Sequence, residues 1–214
     1  MMQEVLEKLY ETASGAGRLL ILPHNDPDPD AIASAVALRH LLAERLGMEC
    51  TIAYQGIIGR AENRALVRYL DHPLEPLSDA DLQRSPSLAV IDTQPGAGNI
   101  TLPPEARVTL VIDHHVWNER TAAAIFADVR PELGATSTIL AQYLQAAGME
   151  PPSSLSTVLF YGIKTVTMGL SRDASPDDAA AYSYLQPRVD VAALAKIEYA
   201  QVPVDYFKSF NTAL

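Results

Sequence analysis

Only one cysteine, Cys50, occurs among the 214 residues, so no disulfide can close within the chain. A lone thiol agrees with a reducing compartment. Basic residues are also scarce: 16 Lys and Arg stand against 26 Asp and Glu, a formal net charge of −10. That balance argues against a broad basic face for long duplex nucleic acid. No apolar run is long enough to span a bilayer. The opening stretch, Met1-Met2-Gln3-Glu4-Val5-Leu6-Glu7-Lys8, is acidic and amphipathic, without the basic-then-apolar order of a secretory signal. The expectation is a cytoplasmic protein with no membrane partner. Internal repeats, low-complexity tracts and coiled-coil heptads are missing too. What remains is a 48% hydrophobic chain, enough for one sizeable core.

The first half alternates apolar strands with amphipathic helices. Residues 3–14 read as a helix and 18–24 as a strand. Asp30 to Leu46 reads as a helix capped by Gly47, then Glu49 to Tyr54 as a strand and Gly59 to Leu70 as a helix. Leu88 to Ile91 and Val108 to Ile112 are continuous apolar runs, the mark of parallel strands covered on both faces. Ala123 to Phe126 is a further short strand candidate. Helical patterns follow at 135–147, 153–170, 176–185, 190–199 and 203–213. This order predicts an α/β fold, a Rossmann-like parallel sheet with right-handed crossovers, flanked by helices and followed by a helical C-terminal portion.

Chemistry concentrates at the strand ends. His24-Asn25-Asp26-Pro27-Asp28-Pro29-Asp30 directly follows Leu19-Leu20-Ile21-Leu22, where open α/β sheets bind ligands. The two prolines keep Asp26 and Asp28 out of helical geometry, so the loop can aim His24, Asp28 and Asp30 at one point. Equally, Asp30 can simply cap the helix that follows. Asp92 ends the next apolar strand, as a ligand or as a turn residue before Thr93-Gln94-Pro95-Gly96. Asp113-His114-His115 ends the one after. Either the two imidazoles are used chemically or they are a hydrogen-bonded surface pair. Hard carboxylates mixed with imidazoles suit divalent ions such as Mn²⁺, and several of them suit a two-metal site.

These residues together resemble the DHH phosphoesterase family, in the branch of nanoRNases, pAp phosphatases and exopolyphosphatase-related proteins. The first family motif, His-x-x-Pro-Asp-x-Asp before a small-residue helix, matches His24, Pro27, Asp28, Asp30 and Ser34. The second matches Asp92, and the tripeptide that names the family stands at Asp113-His114-His115. Gly59 to Arg64 and Gly134-Ala135-Thr136-Ser137 look like this branch as well. The resemblance implies one Mn²⁺ held by His24, Asp28 and Asp92, and a second by Asp30, Asp92 and His114, with Asp92 bridging. Mg²⁺ is the alternative ion. It implies metal-assisted attack at phosphorus, His115 against the substrate phosphate, and Asp113 orienting a histidine from behind. Asp26 falls at a family-variable position outside the expected ligand set.

Two departures bear on activity. The fourth family motif, Gly-Ile-x-Thr-Asp-Thr, reads here Gly162-Ile163-Lys164-Thr165-Val166-Thr167, so Val166 stands where the family has a metal-ligating aspartate. The resemblance therefore implies weaker second-ion binding and slower turnover. The chain also has no Gly-Gly pair, so the Gly-Gly-Gly-His motif of the branch's smaller C-terminal domain is absent. The expected division is a DHH domain over 1–190 and a helical connector over 191–214. Tyr206, Phe207 and Phe210 would then be open to self-association, in a homodimer. The leading expectation is a phosphoesterase acting on short oligonucleotides or pAp-like nucleotides. A degenerate single-metal nucleotide-binding or interaction module is the second reading, and a phospho-acceptor receiver domain the third.

Overall fold

Five strands of mostly branched or apolar residues carry the centre of the molecule, and their alternation decides which side each residue serves. Leu19, Ile21, Ala89, Ile91, Leu110 and Ile112 enter one large core, while Leu20, Leu22, Ala53 and Leu88 enter a smaller one on the other face. The structure, a computed structural model, describes residues 2–70, 74–84, 87–103 and 106–201. Its elements in chain order are α1 (Met2–Ser14), β1 (Leu19–Pro23), α2 (Pro29–Leu46), β2 (Cys50–Tyr54), α3 (Ala61–Tyr69), β3 (Glu75–Pro76), α4 (Asp79–Arg84), β4 (Ser87–Ile91), β5 (Arg107–Asp113), β6 (Phe126–Val129), α5 (Thr136–Ala146), α6 (Ser153–Val166), α7 (Pro176–Leu185) and α8 (Val191–Glu198).

The six strands form one sheet in the order β3-β2-β1-β4-β5-β6, every pair parallel. This is the expected α/β fold: a parallel sheet whose first four strands are joined through helices α2, α3 and α4, and a helical C-terminal portion. Helix α2 packs against α5 and α6 and, with α1, covers the larger core. Chain order reverses between β1 and β4, which places a crevice at their carboxyl ends, where such sheets take ligands. Register then does the rest. Pro23 pairs with Ile91, and Ile91 with Ile112, so His24, Asp92 and Asp113 follow in one row.

Several boundaries differ from the sequence reading. Helix α6 stops at Val166, because Met168, Gly169 and Leu170 take left-handed backbone angles and Thr167 turns its hydroxyl onto the Ile163 carbonyl. The sixth strand is Phe126–Val129 and not Ala123 to Phe126. Residues 119–123 instead coil into a 3-10 turn whose start is capped by Asn118 accepting from the Arg120 amide. Strand β3 and helix α4 were not expected. Helix α4 is nonetheless announced by a capping pattern, in which Ser78 and Asp81 exchange side-chain-to-amide bonds. The helix expected over 203–213, with Tyr206, Phe207 and Phe210, lies outside the described residues. No helix of the described chain is long and apolar enough to cross a membrane.

Candidate metal centre

The loop after β1 is built to hold its acids still. Asp28 caps α2, its Oδ1 accepting from the amides of Asp30 at 2.9 Å and Ala31 at 3.0 Å. Its second oxygen is left for other partners. Asp26 adopts φ +55° and accepts from the Ile57 amide at 2.6 Å, which ties this loop to the end of β2. Asn63 of α3, nearly fully buried, donates to the Pro27 carbonyl at 3.3 Å.

Asp92 lies at the middle of the site, buried at 3% exposure, with φ +58°. Such a backbone is uncommon for a residue with a Cβ, and Asp is among the types that tolerate it. Its Oδ2 is 3.7 Å from His24 Nε2 and its Oδ1 is 3.6 Å from His114 Nε2, while Asp28 Oδ1 is 3.8 Å from His24 Nε2. The other nitrogen of each ring faces a backbone carbonyl. His24 Nδ1 lies 2.8 Å from the Asn25 oxygen and His114 Nδ1 lies 3.1 Å from the Leu133 oxygen. A carbonyl can only accept, so each Nδ1 carries the proton and each Nε2 presents a lone pair to the carboxylates. That is the tautomer and orientation of a metal-binding histidine.

Donor atoms of His24, Asp28 and Asp92 fall within 4.8 Å of one another, as do those of Asp92, His114 and His115. Two donors each about 2.1 Å from a shared ion stand roughly 3 to 3.5 Å apart. The gaps between Nε2 and carboxylate are slightly wider than that and too long for hydrogen bonds. In the neutral tautomer these lone pairs face carboxylates across gaps that a divalent cation can fill. The residues present therefore suit a divalent ion.

Electrostatics say the same. Burial pushes Asp92 well above the ordinary carboxylate range, and the charges of Asp30 and Asp28 push it further. Asp30 is also raised, first by burial and then by Asp28. Burial works against the charge of Asp28 too, but the His24 contact and the two capping amides prevail and hold it down. For His24 burial works to lower the pKa, and the Asp28 and Asn25 contacts more than compensate. Packing carboxylates that resist ionising together is a cost that a cation removes.

Asp30 is held by backbone amides from a distant part of the chain. It is completely buried, and its two oxygens accept from the Thr136 amide at 2.8 Å and the Ser137 amide at 2.7 Å, at the start of α5. It belongs to neither three-residue cluster above. Thr136 also donates its hydroxyl to Asp92 Oδ1 at 2.7 Å. Gly162 of α6 packs on this junction: a Cβ there would stand 2.5 Å from Ser137 Oγ and 3.2 Å from Asp30 Cα. Val166 sits at the last position of α6, half-buried against the core, with Arg172 donating to its carbonyl.

His115 joins the His114 side of the site but remains half-exposed, its Nδ1 donating to Asp113 Oδ1 at 2.8 Å. Asp113 thereby orients His115. That bond raises the His115 pKa above its usual value, with burial opposing. Two supporting residues were not singled out from sequence. Buried Gln94 donates to Asp113 Oδ2 at 2.7 Å and to the Val116 carbonyl at 3.0 Å, and accepts from the Asn118 amide and the Thr121 hydroxyl. Buried Asp178 accepts from the Gly134 amide, the Thr138 hydroxyl and Ser175, and so joins α7 to the head of α5. Gln94 carries no spacing signal; Asp178 carries a capping-box spacing with Ser175, but only the folded neighbourhood reveals its bonds to Gly134 and Thr138.

A parallel sheet with carboxylates and imidazoles at its switch point is an arrangement suited to a divalent ion. The chain belongs to the DHH family: the model of its N-terminal domain matches residues 18–163. It is 44% identical over 210 residues to the Uncharacterized protein MJ1633 of Methanocaldococcus jannaschii, covering 98% of this chain and 42% of that protein. It is 27% identical over 152 residues to a protein of Streptococcus pyogenes named as a probable manganese-dependent inorganic pyrophosphatase, covering 71% of this chain and 49% of that protein. An exopolyphosphatase-related protein of Bacteroides fragilis shares the fold, with a TM-score of 0.71 at 16% identity, over 96% of this chain and 63% of that one. The chain thus spans less than half the length of these two sequence relatives.

Proposed function

We propose that the chain is a metal-dependent phosphohydrolase of small phosphate substrates, short oligonucleotides and pAp-like nucleotides foremost. The observation that carries this is Asp92, held between two histidines whose Nδ1 protons are both engaged by carbonyls. His24, Asp28 and Asp92 would hold one ion. Asp92 and His114 would hold the second, with Asp30 able to join only through the lone pairs its two amide bonds leave free. Mn²⁺ is the ion of choice, in keeping with the manganese-dependent relative, and Mg²⁺ the alternative. A bound divalent ion supplies charge stabilisation at the phosphoryl oxygens and acidifies water. His115, whose bond to Asp113 favours its protonated form, would bind a phosphate oxygen at the open side of the site. Asp92 keeps the two histidines in register, and the α5 amides hold Asp30 where it balances them.

A second reading is a binding module with a single metal. It is favoured by Val166, which offers no donor where the family has an aspartate, and by the two backbone amides already bound to Asp30. One assay series separates the two. Hydrolysis of pAp, a short oligoribonucleotide and pyrophosphate is followed with Mn²⁺, in the natural chain and in Val166→Asp. Turnover that Val166→Asp raises about tenfold or more supports a weakened enzyme, since one preorganised electrostatic contact is worth about 10²-fold or more. Metal binding without turnover in either protein supports the module.

A further inference from the structure

A metal centre built for phosphate needs charge, yet the edge that carries it is also apolar. Ile57 is 71% exposed, Val116 83%, Trp117 45% and Met168 62%. All four sit on segments at the metal-bearing edge. Ile57 follows β2, Val116 and Trp117 follow β5, and Met168 lies two residues beyond Val166, on the turn that ends the helix touching Asp30 through Gly162. Apolar side chains exposed together around a charged centre are a binding feature more often than chance decoration.

Trp117 is also held in place. Gln94, 1% exposed, donates to the carbonyl of Val116 and accepts from the amide of Asn118, so it clamps the backbone on both sides of the indole. The same Gln94 grips Asp113, which orients His115. The Ile57 amide is likewise anchored, to Asp26 in the His24 loop. One buried polar network therefore orients His115 and anchors the backbone on both sides of the exposed aromatic two residues beyond it. A half-exposed indole on a backbone anchored in this way offers a flat face, and every nucleobase has a π-face to lay on it.

We propose that Trp117, with Val116 preceding it, forms a nucleobase subsite next to the metal centre, so that the substrates are nucleotides and not inorganic phosphates. The position of the phosphate in this proposal rests on the phosphohydrolase reading above; the stacking itself does not. Pyrophosphate and polyphosphate have no apolar part and would leave the rim unused.

Trp117 is the only tryptophan in the chain, so its fluorescence reports on its own environment. The test compares 5′-AMP with ribose 5-phosphate, the same anion without a base. Affinities are measured by calorimetry with Mn²⁺ and again in chelator, for the natural chain, Trp117→Ala and Trp117→Phe, with tryptophan emission followed in the natural chain. The expected result is AMP binding about tenfold or more tighter than ribose 5-phosphate, with a change in emission for AMP alone. Trp117→Ala abolishes the difference and Trp117→Phe keeps most of it. Equal affinities, a preference that survives Trp117→Ala, or no AMP binding at all would overturn the subsite; the rim would then be a protein-contact surface. A base preference with no turnover of any phosphate substrate leaves the subsite standing and removes the phosphohydrolase reading. Turnover without base preference does the reverse.

Discussion

Replacing Asp92 by Asn separates charge from shape at the middle of the site. Asn tolerates the left-handed backbone at φ +58° about as well as Asp does, so the swap adds no conformational strain. Its side-chain oxygen can still accept from Thr136, which now stands 2.7 Å from Asp92 Oδ1. What disappears is a buried negative charge that Asp30 and Asp28 repel. Without metal, relieving that burden should stabilise the fold by about 1–3 kcal/mol, and each kcal/mol moves Tm by about 2–4 °C for a chain of this size. With metal the order inverts. An ion at 100 times its Kd stabilises the natural chain by about 2.7 kcal/mol, and the variant, lacking the shared ligand, gains little. Thermal melts of both proteins in chelator and in excess Mn²⁺ should therefore cross. If Asp92→Asn melts lower in chelator, or keeps the full Mn²⁺ shift, Asp92 is not a metal ligand held at electrostatic cost.

Three further outcomes follow from the same geometry. An acid raised in the folded state binds more protons folded than unfolded, so the metal-free chain loses the Asp92 contribution as pH climbs from the ordinary carboxylate range through the raised value. The stability gap between Asp92→Asn and the natural chain should widen as pH rises in chelator, and denaturant melts at several pH values show it; a gap that narrows contradicts the assignment. In Gly162→Ala the new methyl meets Ser137 Oγ at 2.5 Å, and overpacking of this kind costs about 1–3 kcal/mol; Mn²⁺ affinity should fall with stability because Asp30 is displaced. The Asp113 bond raises His115, so Asp113→Asn should bring the His115 pKa back toward its usual value, seen by NMR titration of the ring. The sign follows for stability. The His115–Asp113 contribution is complete below the unfolded histidine pKa and fades as pH rises through the raised folded value, and the variant lacks this dependence.

Much of this centre is legible in the chain because it lies at strand ends. Apolar runs that stop at His24, Asp92 and Asp113 reveal where a parallel sheet must end, and the register then aligns them. What hides is whatever acts through contacts distant in sequence. Asp30 reads as a cap or a ligand, and nothing local shows that the amides of Thr136 and Ser137, over a hundred residues away, take both its oxygens. Gln94 and Asp178 look like ordinary turn and helix residues until four hydrogen bonds converge on each side chain. Thr167 and the left-handed turn at Met168 to Leu170 cut α6 short of its apolar pattern, since backbone geometry overrides periodicity there.

The most direct measurement is calorimetric titration of Mn²⁺ into the chelator-stripped chain, run in two buffers of different protonation enthalpy. The account predicts one tight ion, bound by His24, Asp28 and Asp92 with protons released as Asp92 ionises, and a second, weaker ion on the His114 side. An absence of binding, or binding unchanged in Asp92→Asn, would contradict it.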